Sequence, residues 1–412
     1  SFLTAQPIQA GAAILGPTVK GPTVPTVVTT YSDYQNKFGT LVQSGSDFYT
    51  YFTSIAAYNY FQNGGDSLLV GRITNGTYTG ATSSMMTTGS GGPTTGVAPF
   101  VLETLSKGTI MNSTSTESTN NTLPSGSADN IRWEIASVNT ASGVFSLLVR
   151  RGNDNNNQKV ILESYNNISL DPFSSNYISR AIGDITSNVV VAPDGSGTYL
   201  QESGSYPNVS NYIRVKEVNF NTPHYFQNNG VAKPEFTSSL PIISSGSFDT
   251  AVGSNLNTSS YNRFYEKIDG TNTQGLIGTD YTNAINLLAN QDDYQYNVIS
   301  APGLYYSNYA NQCNLIKNNT IARGDAIYIM DLVPYNTAIN TVLQNAASLD
   351  TSYAAAYWPW LQTVDPNTGL LVYVPASTMI PGVYAFTDAS SDPWFAPAGI
   401  TRGGMGSVVR AE

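Results

Sequence analysis

The sequence predicts a fold of class α/β plus β. Both ends of the chain build one mostly parallel, helix-covered sheet, and the middle is a large, mainly antiparallel β insertion. Short apolar strands alternate with helical stripes in 11–75 and 265–412, as in parallel sheets covered by helices. Between them, 76–264 contains alternating strands such as IRWEIASV and VFSLLVRR. We therefore predict a domain from both ends of the chain, interrupted by the middle region.

The N-terminal part predicts a β-α-α-β module whose apolar faces need a partner. Glycine-proline pairs end its first strands, and an aromatic stripe from Phe48 to Tyr58 has helical spacing. The predicted elements are strands 12–15 and 24–28, a helix from the N-cap Ser32 to Gly39, a longer helix from Ser46-Asp47 to the cap Gly64-Gly65, and strand 67–73.

The C-terminal part continues the alternation of helices and apolar strands. Ile339, Val342, Leu343, Ala346 and Ala347 form the clearest helical stripe. The other predicted elements are helix 281–291, strands 296–303, 324–333 and 353–358, a turn at 364–369 and strand 370–374. We expect the strands of both parts to share one sheet.

The inserted region begins with a change in composition. Ser, Thr, Asn and Gly dominate 75–130, which predicts either loop-rich β structure or a partly flexible insertion. Its remaining predicted elements are strands 131–138, 144–151, 159–171, 189–193 and 212–218, and a short helix at 176–184.

Charge is scarce in this chain. Charged residues make up 11% of the 412 residues, less than half of the about 25% typical of soluble domains. The net charge of −10 and the lack of a basic patch argue against nucleic-acid binding, since the densest basic spot is Arg150-Arg151 at a strand end. The composition suits a secreted β-rich protein, or a subunit whose surface is covered by neighbours.

Cysteine and histidine each occur once. Cys313 excludes a disulfide within the chain and lies in a predicted helix as a small buried hydrophobe. A lone His224 without a cysteine cluster is a poor metal ligand. No apolar run approaches the roughly 20 residues of a membrane span, and we expect no membrane insertion.

Acidic residues near predicted strand ends are the best catalytic candidates. Asp292-Asp293, Asp325 and Asp331 lie where α/β sheets often bind ligands, so a divalent metal or hydrolase site is conceivable. However, no His, Lys or Arg is spaced to complete acid-base chemistry. Asp292-Asp293 also lies in a predicted helix-to-strand loop, and Asp325 follows Gly324 in a turn. The glycines at 11, 16 and 21 lack the Lys-Ser/Thr of a phosphate loop. We predict a protein that is not an enzyme and has no cofactor or metal.

The aromatic segment TSYAAAYWPWL (351–361) has three interpretations. It is a sugar-binding platform, a protein interface, or a buried strand with an end broken by proline. The buried strand is the simplest interpretation.

Several segments together resemble the tail sheath proteins of contractile bacteriophages. They follow the family's order: AAILGPTVKGPTVPTVVTTYSDYQNKFG, YNYFQNGGDSLLVGRI, FSLLVRRGND, ESYNNISLDPFSSNYISRAIGD, YNVISAPG, GDAIYIMD and DPWFAPAGITRGGM. The poorly matched parts, 76–130 and 185–275, are where the family carries variable insertions. The residues that carry the motifs are Gly16, Pro17, Gly21, Phe38, Gly39, Gly64, Gly65, Arg72, Pro302, Gly303, Asp331, Pro397, Ala398, Gly399, Arg402 and Gly403.

The resemblance implies a function in a virion tail. Sheath subunits form a helical sleeve around a tail tube, held by baseplate and tail terminator proteins, and its contraction drives the tube through the host envelope. Residues 1–10 would link neighbouring subunits, and the inserted region would face outward. Assembly would take place in the host cytoplasm. Family members continue well past the Arg-Gly signature, so the family's C-terminal lobe and arm would lie outside this sequence.

Two alternatives remain open at this point. The same class of subunit forms the sheath of phage-like injection systems, such as R-type bacteriocins and type VI secretion. The large Ser/Thr/Asn-rich insertion favours a phage tail. The Tyr/Asn/Thr-rich surface also suits a secreted adhesive or glycan-binding β-protein.

Overall fold

A computed structural model describes the chain outside a few short segments. The described residues are 7–44, 47–89, 92–94, 96–113, 117–195, 197–254, 263–392 and 394–412. Residues 1–6 of the predicted linking arm lie outside them. The arm does not extend to residue 10, because Ile8 and Gln9 pair with Tyr294 and Gln295 of the same chain as a short parallel ladder.

The strands of the described residues are named in chain order. They are β1 (Ile8–Gln9), β2 (Ala12–Gly16), β3 (Thr26–Val28), β4 (Val42–Ser44), β5 (Asp47–Tyr49), β6 (Leu68–Arg72), β7 (Gly80–Ser83), β8 (Phe100–Lys107), β9 (Ile131–Asn139), β10 (Val144–Arg151), β11 (Ile161–Ser169), β12 (Thr186–Val191), β13 (Thr198–Ser203), β14 (Ile213–Val218), β15 (Ser244–Asp249), β16 (Tyr294–Gln295), β17 (Val298–Tyr305), β18 (Ile327–Asp331), β19 (Ala354–Ala356), β20 (Leu361–Val364), β21 (Leu371–Val374) and β22 (Val408–Ala411).

The helices follow the same convention. They are α1 (Tyr31–Phe38), α2 (Phe52–Gln62), α3 (Ile178–Ile182), α4 (Pro234–Thr237), α5 (Thr282–Leu287), α6 (Tyr306–Arg323), α7 (Ile339–Ala347), α8 (Ile380–Ser390) and α9 (Gly399–Arg402). The mixed α/β class is therefore confirmed.

The chain divides into two compact units. The first contains the described parts of Ser1–Gly76, Val189–Leu200 and Asn255–Glu412. The second contains the described parts of Thr77–Asn188 and Gln201–Ser254.

The first unit is built on a six-stranded sheet in the order β19-β18-β17-β2-β6-β3. Its strands are parallel except β3, which runs antiparallel to β6. The sheet joins strands from both parts of the chain, since Val298 of β17 pairs with Ala12 of β2. Every residue of β2, β6 and β17 is buried, which explains their continuous apolar sequences.

Helices cover both faces of this sheet. On one face Ala13 and Leu15 pack in a core with Cys313 and Ile316 of α6. On the other face, alternate sheet residues share a core with α1, α2 and α8. Cys313 is the small buried hydrophobe that the sequence predicts, and burial raises the pKa of its thiol to about 12. The fully buried strands therefore have apolar partners on both sides.

One predicted strand lies outside this sheet. Segment 370–374 was expected beside the parallel strands, but β21 pairs antiparallel with β20 in a separate sheet of order β21-β20-β22. The reason is the short connection. The amide of Gly369, at φ +71°, donates to the Asp365 carbonyl at 2.9 Å. A turn this tight joins antiparallel neighbours, whereas parallel strands need a long crossover.

Two predicted helix starts are wrong. The first helix is capped by Thr30, whose hydroxyl accepts from the Asp33 amide at 3.0 Å, and not by Ser32. The second begins at Phe52 and not at Ser46-Asp47, because β5 pairs with β4 as a hairpin. Strand pairing outside α2 therefore overrides the helical spacing that begins at Phe48.

The second unit contains a seven-stranded sheet in the order β11-β10-β9-β15-β7-β8-β14, with antiparallel pairings. Its strands alternate, and in β10 Phe145, Leu147 and Val149 are buried in one core. Two of its strands, β7 and β8, lie within 75–130, so the described part of that segment includes β structure.

The Arg150-Arg151 pair does not form a basic patch. Arg150 is fully buried, and its guanidinium donates two hydrogen bonds of 2.8 Å to Asp154 and one of 2.7 Å to Glu134. Asp154 also lies 3.6 Å from Arg132, another buried arginine, which pairs with Glu117. Arg150 is thus neutralised inside the second unit, while the half-buried Arg151 donates to the Asn153 side chain at 2.7 Å.

Candidate functional site

Motif residues from the N-terminal part meet at the carboxyl ends of β2 and β6. Gly16 ends β2 beside Arg72, the last residue of β6, and Pro17 follows as a buried residue. The Arg72 guanidinium is buried and donates to the carbonyl of Gly21. Gly21 has φ +123°, and a Cβ there would lie 2.6 Å from the Phe38 ring. These residues shape one tight crossing of the chain.

Gly39 has a local role beside this crossing. It ends α1 with φ +78°, and its amide donates to the Gln35 carbonyl at 2.9 Å. A left-handed residue after the last turn is the usual place for glycine. The predicted helix end at Gly39 is confirmed.

A second group meets at the carboxyl end of β17. Gly303, at φ +96°, accepts from the Thr273 hydroxyl at 2.7 Å. The buried Gln274 amide accepts from the Phe52 N–H at 3.0 Å and donates to the Pro302 carbonyl at 3.2 Å. Thr273 and Gln274 thus occupy part of the edge at which open α/β sheets usually bind ligands. The sequence analysis did not identify Gln274, because no local pattern marks it.

Asp331 is also held at this edge. It ends β18 with 4% exposure and accepts from Ser377, from the amide at 3.1 Å and from the hydroxyl at 2.5 Å. Burial raises the pKa of its carboxyl to about 7, and the hydrogen bonds from Ser377 oppose that rise. Its hydrogen-bonding partners are thus groups of the protein itself.

The four acidic candidates do not form one site. Asp325 precedes β18 and makes two 2.9 Å hydrogen bonds with Arg323. Asp292 and Asp293 precede β16, whereas Asp331 lies at the carboxyl end of β18. Because Asp325 and Asp331 flank the same strand at opposite ends, the sheet keeps them apart. No group of three metal-ligating side chains occurs within the described residues.

The other candidates also stand alone. His224 is exposed and stacks on Phe173, with ring centroids 4.3 Å apart. In the aromatic segment, Trp360 is buried and donates to the Val333 carbonyl at 3.2 Å, while Trp358 is 43% exposed. Ala354–Ala356 is a partly exposed strand, so the buried-strand interpretation is wrong there. The strand lies at the end of the sheet order and not inside it.

The remaining motif residues lie near the amino ends of the strands. Gly64, Gly65 and Pro397 line a cavity of about 550 Å³ beside Ala12 and Val298, the first residues of β2 and β17. Helix α2 ends at Gln62, and the amides of Gly64 and Gly65 donate to its last carbonyls, at 3.2 and 3.0 Å. The predicted glycine cap therefore lies just beyond the helix, on the wall of this cavity.

The Arg-Gly signature lies beside helix α8 and accepts a hydrogen bond from it. Arg402 places its guanidinium 4.9 Å from the Phe395 ring centroid and donates to the Ala396 carbonyl at 3.3 Å. Its own carbonyl accepts from the Thr387 hydroxyl at 3.1 Å. Ala398 precedes the short helix α9, which Gly399 begins with φ +80°, and the Gly403 amide donates to the Gly399 carbonyl at 2.8 Å.

The motif residues thus fall into two groups, at opposite ends of one mostly parallel sheet. The carboxyl end is filled by the protein's own side chains, and the amino end carries an open cavity. In the described part of the chain, no helix is long and apolar enough to cross a membrane.

Comparisons with known proteins give solved structures as neighbours. No family model matches the chain, and neither does any curated protein. The crystal structure of a sheath tail protein from Desulfitobacterium hafniense is 10% identical, with a TM-score of 0.38, over 92% of this chain and 59% of that one. A sheath tail protein from Listeria innocua is 10% identical, with a TM-score of 0.44, over 93% of this chain and 58% of that one.

Both neighbours carry the name of the class that the motifs resemble. This chain spans a little under three fifths of the length of each. At these TM-scores we base the function on the residues of the chain itself.

Proposed function

We propose that this protein is a structural subunit of a contractile phage tail sheath. It polymerises as a helical sleeve around a tail tube, with baseplate and tail terminator proteins at the ends. Contraction of the sleeve drives the tube through the host envelope during genome delivery. The subunit acts in the virion tail and assembles in the host cytoplasm.

One observation carries this proposal. The segments that resemble sheath proteins occur in the family's order, from Ala12 to Met405. The glycine, proline and arginine residues that carry the motifs lie in the first unit, where Gly21 and Gly303 need left-handed backbone. A motif set of this kind specifies the shape of a rigid body, which is what a helical lattice requires.

The linking of subunits is proposed to occur by strand addition. The segment before β1, residues 1–6, would add to a sheet of a neighbouring subunit, so that main-chain hydrogen bonds survive while the rigid bodies reorient. Residues 8 and 9 do not belong to this arm, because β1 pairs with β16 of the same chain. Among the described residues, β19 pairs with β18 alone, and a small apolar cavity of about 180 Å³ lies beside it. An edge strand of small residues supports this mode of assembly.

Contraction of the proposed sheath needs no catalytic site. A metastable extended sleeve stores the energy of contraction, and a contact between unlike surfaces that does not close generates a helical filament. Asp331, the most buried of the acidic candidates, is bonded to Ser377 and lies apart from the others. We therefore assign no enzymatic activity, cofactor or nucleic-acid partner to the subunit.

Electron microscopy of the protein tests the proposal. Hollow helical tubes, wider than an extended tail, are expected from the protein alone, because a sheath released from its baseplate relaxes to the contracted form. A variant lacking residues 1–6, which keeps the pairing of β1 with β16, should stay folded and form no tubes. Monodisperse protein under all conditions, with or without a tail tube, would contradict the proposal.

A second measurement distinguishes a phage tail from a phage-like injection system. Copurification of the tubes with a phage capsid and genome supports a virus, whereas capsid-free particles support an injection system. Binding to glycans by a protein that never polymerises would favour the adhesive β-protein.

A further inference from the structure

The cavity at the amino ends of the parallel strands has no part in the proposed function, although three motif residues, Gly64, Gly65 and Pro397, lie in its wall. It holds about 550 Å³ between the end of α2, the helix α8 and the segment around Phe395. Its floor is formed by Gly11, Ala12 and Val298. This cavity lies wholly within the first unit.

The side chain of Tyr60 lines the cavity and is largely buried, since Tyr60 is 5% exposed. Within the described residues its hydroxyl makes no hydrogen bond to the protein. A Cβ on Gly11 would lie 2.4 Å from the Tyr60 hydroxyl, and a Cβ on Gly65 would lie 2.2 Å from the Tyr60 ring, so both would clash. Two glycines thus make room for this side chain, and both line the same cavity.

The charges around this hydroxyl are all of one sign. Asp66 and Asp388 line the cavity, and both add to the effect of burial in raising the pKa of the Tyr60 hydroxyl. Burial also raises the pKa of the Asp388 carboxyl, which has no ion pair among the described residues. The lining contains no lysine, arginine or histidine among the residues that the structure describes.

The backbone adds to this negative potential. The last turn of α8 lines the cavity through Thr387 and Ala389, and α2 ends two residues before Gly64. Each helix C-terminus carries the equivalent of roughly half a negative charge. Arg402, which contacts the cavity residue Phe395, is engaged with the Phe395 ring and the Ala396 carbonyl.

We propose that this cavity is a binding site for an organic cation, namely the ammonium or guanidinium end of an alkyl chain. Asp66 and Asp388 supply the counter-charge, and the Tyr60 hydroxyl accepts a hydrogen bond. Tyr384 and Pro381 supply apolar walls for the alkyl chain. The apolar walls favour an alkyl cation over a divalent metal, and no group of three metal-ligating side chains occurs among the residues that the structure describes.

The cationic group that occupies the cavity has two possible sources. It belongs either to a free amine or to a lysine or arginine side chain of a second copy of the chain. The cavity exists within one chain, so the site does not depend on polymerisation. A failure to form tubes would therefore contradict the proposed function alone, and a failure to bind an organic cation would contradict the proposed site alone.

Titration with n-butylammonium, followed by saturation-transfer NMR, tests the site. We expect saturable binding to the protein in the millimolar range, and no saturation with n-butanol, which has the same shape without the charge. The double variant Asp66→Asn/Asp388→Asn should weaken binding at least tenfold. Tyr60→Phe should weaken it about threefold, since it removes only the hydrogen-bond acceptor. Equal binding of butanol, or no binding, overturns the proposal.

A matched variant controls for net charge. Asp292→Asn/Asp350→Asn removes two exposed carboxylates of the same unit that lie outside the cavity. It should bind butylammonium within twofold of the wild type. An equal loss in both double variants would show general charge attraction and overturn the site.

Sedimentation velocity distinguishes the two sources. Self-association that butylammonium and the Asp66/Asp388 variant both abolish identifies a side chain of a second copy. A monomer that binds butylammonium saturably identifies a free amine as the ligand. Both outcomes support the site.

Discussion

The two ends of the parallel sheet in the first unit differ in what occupies them. At the carboxyl end, Gln274, Arg72 and Ser377 satisfy the strand-end groups with hydrogen bonds. At the amino end, the walls formed by α2 and α8 leave a cavity that holds carboxylates and an unbonded hydroxyl. Sheets of this class usually keep the opposite arrangement, with the ligand site at the carboxyl end. The comparison suggests that rigidity lies at one end and recognition at the other.

Gly21→Ala is the strongest test of the rigid end. The alanine would have to keep the backbone at φ +123°, and its Cβ would lie 2.6 Å from the Phe38 ring. We expect a loss of about 4 kcal/mol in the free energy of unfolding, from backbone strain and overpacking together. Urea unfolding followed by tryptophan fluorescence measures it. Gly76→Ala, at φ +79° with open space around it, should cost only about 1 kcal/mol. Equal losses would mean that the crossing is not tightly packed.

Gln274→Met tests the side chain that fills this edge. The change keeps the volume but leaves the Phe52 N–H and the Pro302 carbonyl without partners. The expected loss is about 3 kcal/mol, because each buried unpaired group costs about 1–3 kcal/mol. Gln62→Met, at an exposed helix end, is the control and should change stability by less than about 0.5 kcal/mol. A loss no larger than that of the control would refute the role of Gln274.

Asp331→Asn tests the same edge through pH. Burial raises the pKa of the Asp331 carboxyl to about 7, so between about pH 4 and pH 7 the folded protein keeps a proton that the unfolded chain releases. This contribution to stability is complete below about pH 4 and is lost as the pH rises through 7. Between pH 5 and pH 7, the wild type should lose about 2 kcal/mol more than the variant. Parallel pH profiles from urea unfolding would contradict the assignment.

The open end should tolerate substitution. Asp66 and Asp388 are exposed, and neither has an ion pair among the described residues. Asp66→Asn/Asp388→Asn should therefore change the free energy of unfolding by less than about 0.5 kcal/mol, while it weakens cation binding. Urea unfolding in the absence of amines checks this. A loss comparable to that of Gln274→Met would show that the carboxylates support the fold.

The sequence predicted elements best where one physical pattern dominates. The buried strands β2 and β6 follow from their apolar runs, and the end of α1 follows from Gly39. The start of α2 was wrong because the same residues, from Phe48 to Tyr51, also suit a hairpin strand. Periodicity over a few residues does not decide between the two, and pairing with β4 does.

By itself, the sequence determined the mixed class, the turns that need glycine and the resemblance to tail sheath proteins. These features depend on local backbone sterics and on patterns within short segments. Only the tertiary structure decided that Gln274 fills the carboxyl edge, that Asp325 and Asp331 lie at opposite ends of one strand, and that Tyr60, Asp66 and Asp388 surround one cavity. The cavity joins residues more than 300 positions apart, and Gln274 meets Phe52 across 222 positions. No local rule of sterics or periodicity specifies which distant side chains meet.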